Sequence, residues 1–140
     1  MPGTIIVKLN TNRFPELSRK MPEVVGRLVE ESARRIVKDA QDSMAGAKHG
    51  RVYTRNGADH QASAPGEAPA IDTGALADSL RYEMTKTTRA TVFSDSEYAA
   101  PLEYGAPAAG IAPRPFLTPA AERERPQLLN ALRDLEDKLL

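Results

Sequence analysis

Cysteine is missing from all 140 residues, which removes disulfides, thiolate-held zinc and a cysteine nucleophile together. Tryptophan is missing as well, and aromatic residues make up only 5% of the chain. A core must therefore be built mainly from Val, Leu, Ile and Ala. Net charge is absent too, with 19 basic and 19 acidic side chains. A dedicated nucleic-acid binder carries a net basic surface, so a DNA-binding regulator is disfavoured. No apolar run approaches the roughly 20 residues of a membrane span, and no secretory leader is visible. The expectation is a soluble protein without a membrane partner, made in the cytoplasm.

What is present suits a single domain, 1–140, large enough for one hydrophobic core. The first sixty residues hold 11 basic and 7 acidic side chains, and the remainder hold 8 and 12. Such a split can set opposite-sign faces on neighbouring copies of an oligomer.

TIIVKL, at 4–9, predicts a short strand. Pro22 and Glu23 suit a helix start, and Val25, Leu28, Val29, Ser32, Ile36, Ala40 and Met44 recur at helical spacing. That predicts a helix to about Ala45 stopped by Gly46, with Arg27, Glu30, Glu31, Arg34, Arg35 and Lys38 on its wet face. Asp72 or Thr73 should cap a short helix carrying Leu76 and Leu80. Two alternating runs, 81–85 and 90–94, read as a hairpin, and SEYAAPLEYG as a short helix capped by Ser96 and ended by Gly105. PAAGIAP follows as a loop. Thr118 and Pro119 open a last helix striped by Leu128, Leu132, Leu135 and Leu139, which Pro126 should kink or restart. The predicted class is α+β: a small, mostly antiparallel sheet packed by a long N-terminal and a long C-terminal helix.

Residues 46–71 break the pattern with a Gly- and Pro-rich stretch lacking periodicity, read as an extended, flexible arm. Val52 and Tyr53 before Asn56-Gly57 could form a small hairpin there. A connection this long is usually functional or disordered, since most run to about 4–6 residues. His49, His60 and Asp59 are the only basis for a small hydrolase or nuclease, and their spacing matches no metal-ligand pattern. Ser63 sits in no nucleophile elbow, and the scattered glycines make no phosphate loop. Lys48, Arg51 and Arg55 form a small cationic patch, read as a solvated face. No cofactor, metal ligand or catalytic residue is assigned.

Three blocks, taken together, resemble a known family: GRVYTRNGADHQASAPGEAPAIDTGALADSL (50–80), YAAPLEYGA (98–106) and RPFLTPA (114–120). In this order and spacing they are similar to the phage gene-product-ten-like family of tail-completion or neck proteins of long-tailed bacteriophages. The resemblance covers about half the chain. It implies a structural protein, not an enzyme, that forms a six- or twelvefold homo-oligomeric ring at the head–tail junction of the virion. It also implies head-closure or connector proteins and tail-terminator or tail-tube proteins as partners, with DNA passing through the channel unread. The assembly positions it suggests are Ala62, Ser63, Pro65, Gly66, Glu67, Pro69, Asp72, Thr73, Gly74 and Leu76 in the first block. Leu102, Glu103, Tyr104 and Gly105 follow from the second, and Arg114, Pro115, Phe116 and Leu117 from the third. The plainer alternative is that 72–74 is only a helix cap and 114–117 only a helix lead-in. Within the same class, a tail terminator that caps the tube is the runner-up.

Overall fold

Ile5, Val7 and Leu9 alternate with Ile6 and Lys8, the period of a strand with one dry face. In the computed structural model, which describes residues 5–46, 48–50, 52–55, 57–69 and 74–139, that stretch is β1, Ile5–Leu9. A helix that the sequence pattern does not announce follows, α1, Pro15–Lys20. At six residues it is too short for a periodic signal. It is set instead by Pro15 in its first turn and by Leu17, which is fully buried. Thr11 and Ser18 close it with a hydroxyl–hydroxyl hydrogen bond of 2.6 Å.

The helix expected next is α2, Pro22–Ala45, with Pro22 at its start and Gly46 at its end. Its inner stripe, Val25, Val29, Ser32, Ala33, Ile36, Ala40 and Met44, is buried. Each fully buried Val or Ile on it contributes about 1.5–3 kcal/mol. Lys48 Nζ donates to the Ser43 carbonyl at 2.6 Å and so pairs one of the free carbonyls of the last turn.

A hairpin follows, β2 (Val52–Arg55) against β3 (Ala58–Gln61), in register from Val52↔Gln61 to Arg55↔Ala58. Asn56 of its expected turn lies outside the described residues. Beyond it come α3, Ala75–Asp78, then β4, Arg81–Lys86, and β5, Arg89–Ser94. Asp72 and Thr73, expected to cap α3, lie outside the described residues, and Gly74 stands at the cap position. The main sheet runs β1-β5-β4, all antiparallel, with Ile5 opposite Ser94 and Leu9 opposite Ala90. Its inner rows pack on α2. Buried Ser94 is satisfied there: Ser79 donates to the Leu76 carbonyl, so the Ser94 hydroxyl is left to donate to Ser79 at 2.6 Å.

The chain ends with α4, Ala99–Tyr104, a single 3-10 turn at Pro107–Ala109, and α5, Leu117–Leu139. The 106–112 stretch is more ordered than a plain loop, because Ala106 and Ile111 bridge across that turn. Two expectations for α5 are corrected. Pro126 does not restart it: a single helix runs through, with Pro126 at an exposed position. Thr118 is not the cap but lies inside the helix.

α5 packs on α2, and a polar cluster sits in that seam. Glu124 is buried, accepts from Ser32 Oγ at 3.2 Å, and pairs with Arg35 at 2.7 Å. Arg35 keeps an ion pair with Glu31 on the wet face and at the same time reaches across to the other helix. Ser32, a polar residue inside an apolar stripe, is the sequence signal of that partner. The fold is thus α+β, a three-stranded antiparallel sheet with a long helix from each end of the chain.

Candidate functional site

The first turn of any helix leaves backbone N–H groups that the helix cannot pair. At the start of α5 a carboxylate from elsewhere in the chain takes them. Glu103, near the end of α4 and only 3% exposed, accepts at Oε1 from the N–H of Phe116 at 3.1 Å and of Leu117 at 2.8 Å. Its Oε2 accepts from the N–H of Thr118 at 3.2 Å. A negative group at this end also meets the positive pole of the helix dipole.

The approach to α5 is pinned from two sides. Arg114 N–H donates to the Leu102 carbonyl at 2.6 Å, tying the lead-in to α4. Gly66 N–H donates to the Pro113 carbonyl at 2.9 Å, and the Arg114 guanidinium reaches the carbonyls of Ser63 at 3.4 Å and Ala112 at 3.3 Å. The segments 62–69, 98–106 and 111–118 therefore meet at one corner of the molecule.

Glu67 closes the loop that carries Gly66. Its Oε1 accepts from the N–H of Ala64 at 2.7 Å and of His49 at 2.9 Å, and its Oε2 faces His49 Nδ1 at 2.6 Å. Gly50 N–H donates to the Ala62 carbonyl at 2.9 Å, so the base of the β2–β3 hairpin is fastened to the same loop. Gly66 and Gly74 both adopt positive φ, +86° and +81°, which a side chain would oppose. Much of the stretch read as a structureless arm is therefore a paired ribbon and a loop hydrogen-bonded to the body.

The residues expected at assembly contacts divide by burial. Ser63, Pro69, Glu103, Phe116 and Leu117 are buried, and their side chains hold the fold together. Pro65, Gly66 and Tyr104 are exposed, Tyr104 at 61%. Ala62, Glu67, Gly74, Leu76, Leu102, Gly105, Arg114 and Pro115 are half-buried, while Asp72 and Thr73 lie outside the described residues. The plainer reading of 114–117 as a helix lead-in accounts for the bonds of Phe116 and Leu117 to Glu103, while Arg114 also ties the lead-in to the Ser63 loop.

Of the histidine segment, His49 and Asp59 engage different partners. His49 is exposed and faces Glu67, whereas Asp59 accepts from Thr54 Oγ1 at 3.0 Å across the hairpin. The His60 side chain lies outside the described residues. Among the described residues no group of three or more His, Asp or Glu is placed to hold a metal ion. Of the expected cationic patch, Lys48 is spent on the end of α2, its pKa lowered by partial burial. Arg51 and the Arg55 side chain lie outside the described residues. No helix among the described residues is long and apolar enough to cross a membrane. No family model, curated protein or solved structure matches the chain.

The Glu67 clasp has a pH signature. The His49 side chain first, then the backbone N–H groups of Ala64 and His49, hold its carboxyl down from 4.5 to about 2. A depressed carboxylate contributes fully above its ordinary value, and the contribution fades as pH falls toward the lowered one. The hairpin base is expected to loosen between about pH 4.5 and pH 2 while α2 and α5 remain folded. Amide exchange of His49 and Ala64, followed by NMR through that range, measures it. Glu67→Ala, which removes the acceptor altogether, should open both sites already at pH 7, and unchanged protection in that variant would refute the clasp.

Proposed function

We propose that this chain is a structural protein of a tailed-phage virion, a neck or tail-completion component that forms a ring around the DNA channel where head meets tail. One observation carries the reading. The three sequence blocks behind the family resemblance, spread over residues 50–120, converge on a single corner where Glu103, Gly66 and Arg114 tie them by hydrogen bonds. Residues scattered in sequence but joined in space make one structural unit, which is what a shared assembly role needs.

Two further features support it. Tyr98 and Tyr104 flank α4 at 67% and 61% exposure, and exposed tyrosines are favoured anchors of protein interfaces. The β2–β3 ribbon, with Val52 at 58% exposure, pairs extensively with no other element, and a lone two-stranded ribbon is marginal in water. Seating it on a neighbour would give both sides cover. Head-to-tail contacts of this kind close into rings when their rotation permits.

Light scattering and electron microscopy of the purified protein, alone and with connector and tail partners, test the proposal. A closed ring of six or twelve copies, or density at the head–tail junction of a particle, is the expected result. A strict monomer found in no particle would overturn it. Tails of irregular length in particles lacking the protein would move it to the tube terminus instead.

A further inference from the structure

β1 is an edge strand, paired with β5 on one side only. Its other edge carries a row of backbone N–H and C=O groups that no strand pairs, and no hydrogen bond to loop or side chain takes them up among the described residues. Beside β1 lies a cleft of about 380 Å³, walled also by Arg13 and Phe14 just ahead of α1, by Ile36 of α2 and by α5 from Thr118 to Leu132. Four consecutive residues, Val7, Lys8, Leu9 and Asn10, line it. Consecutive side chains of a strand point to opposite faces, so a cleft that touches all four runs along the edge, not over a face.

The floor is apolar, with Val7, Leu9, Phe14, Leu128, Leu129 and Leu132 lining it. The rim is cationic. Lys8, Arg13 and Arg125 stand at it, exposed, with no salt bridge or hydrogen bond among the described residues. Glu122 is the one carboxylate at the rim left unpaired, because Glu124 is already held by Arg35 and Ser32. Three free cations around an apolar trough beside an open strand edge describe the ligand by complementarity.

The geometry points to a docking groove for an extended, acidic segment of a partner protein, which adds to the sheet as a fourth strand alongside β1. Backbone pairing with β1 supplies the register, alternate apolar side chains fill the trough, and carboxylates between them meet Lys8, Arg13 and Arg125. The opposite free edge of the sheet, β4, carries Lys86 and Glu83, with Arg81 already paired to Asp95, so a second copy offering that strand brings no surplus of carboxylates to a cationic rim. The charge favours a different chain. This inference does not rest on the ring, since it concerns the isolated subunit.

The test is an NMR titration of the isotope-labelled protein with an acetylated octapeptide of alternating valine and glutamate. The expected result is saturable binding that shifts the amides of β1, Val7 and Leu9 among them, and protects those whose N–H groups face the open edge. Binding should be at least tenfold tighter than for the valine–lysine peptide, and Arg13→Glu with Arg125→Glu should reverse that preference. Both arginines are exposed, so the spectrum of the double variant reports directly that it is folded. Two N-methylated forms complete the set, one blocked on the valine nitrogens and one on the glutamate nitrogens. Only one set of N–H groups can face β1, so one form should bind and the other fail. Equal binding of the acidic and basic peptides, equal binding of the two N-methylated forms, or no shift at Val7 and Leu9 at millimolar peptide would overturn the inference. Self-association through β1 that excludes the peptide would overturn it in favour of a second copy.

Discussion

Glu103→Ala is expected to lower the unfolding free energy by about 4 kcal/mol, a large part of the 5–15 kcal/mol typical of a domain. The size follows from what the side chain leaves behind. Three N–H donors, on Phe116, Leu117 and Thr118, lose their acceptor together. Phe116 and Leu117 are themselves buried at 0% and 1% exposure, so water does not readily replace the carboxylate. An unsatisfied buried donor costs about 1–3 kcal/mol, and loss of a helix cap alone costs about 0.5–2 kcal/mol. Glu103→Gln keeps one oxygen and should lose about half as much. Urea denaturation of the two variants and the parent measures both values. A loss under 1 kcal/mol for Glu103→Ala would mean that α5 starts correctly without its remote cap.

Gly26→Val should cost about 3 kcal/mol by the same measurement, and for an opposite reason. Glycine inside a helix is unfavourable by about 1 kcal/mol relative to alanine, so its place in the second turn of α2 calls for a cause. The cause is the turn between β4 and β5. A Cβ built on Gly26 runs into the backbone carbonyl oxygen of Thr87, which cannot swing aside as a side-chain tip could. Overpacking of this sort costs about 1–3 kcal/mol or more, and valine adds its branched methyls to the collision. Gly26→Ala should be milder, because part of the clash is offset by helix propensity. If Gly26→Ala proves more stable than the parent, the helix and the turn are not in contact.

These two residues mark where the sequence is legible and where it is not. α2 reads directly because Val25, Val29, Ile36, Ala40 and Met44 repeat at helical spacing, and every one of them is buried. The strands β1, β4 and β5 read through their alternation, and the class α+β follows from the order of elements. α5 also reads from its leucine stripe, although within that stripe Leu132 is fully buried and Leu128, Leu129, Leu135 and Leu139 flank the core. What periodicity cannot reveal is a bond between distant positions. Glu103 meets α5 some 13–15 residues downstream, Glu67 meets His49 18 residues upstream, and Glu124 meets Ser32 92 residues away. Thr118-Pro119 looked like a helix start because it has the local chemistry of one. The actual cap is a side chain that no local rule could nominate.

The corner described by Glu103, Gly66 and Arg114 was visible in the sequence only as three separate clusters of Pro, Gly and polar residues. Their convergence needed the fold, since α4 and the start of α5 are brought side by side by hydrogen bonds between loops. The free edge of β1 was hidden for a similar reason. A strand pattern predicts a strand, and only the topology says on which side it lacks a neighbour.

The pairing of β1 with β5 also sets a timetable for synthesis. Ile5 must find Ser94 and Leu9 must find Ala90, so β1, once made, waits for the last-made strand of its sheet. At about 5–20 residues per second that wait lasts roughly 4–18 s. Throughout it, the apolar stripe of α2 has neither sheet nor α5 to cover it. A newly made chain is therefore expected to need a hydrophobic holdase until β5 and α5 emerge, and translation pauses before β5 should lower its soluble yield more than pauses after α5.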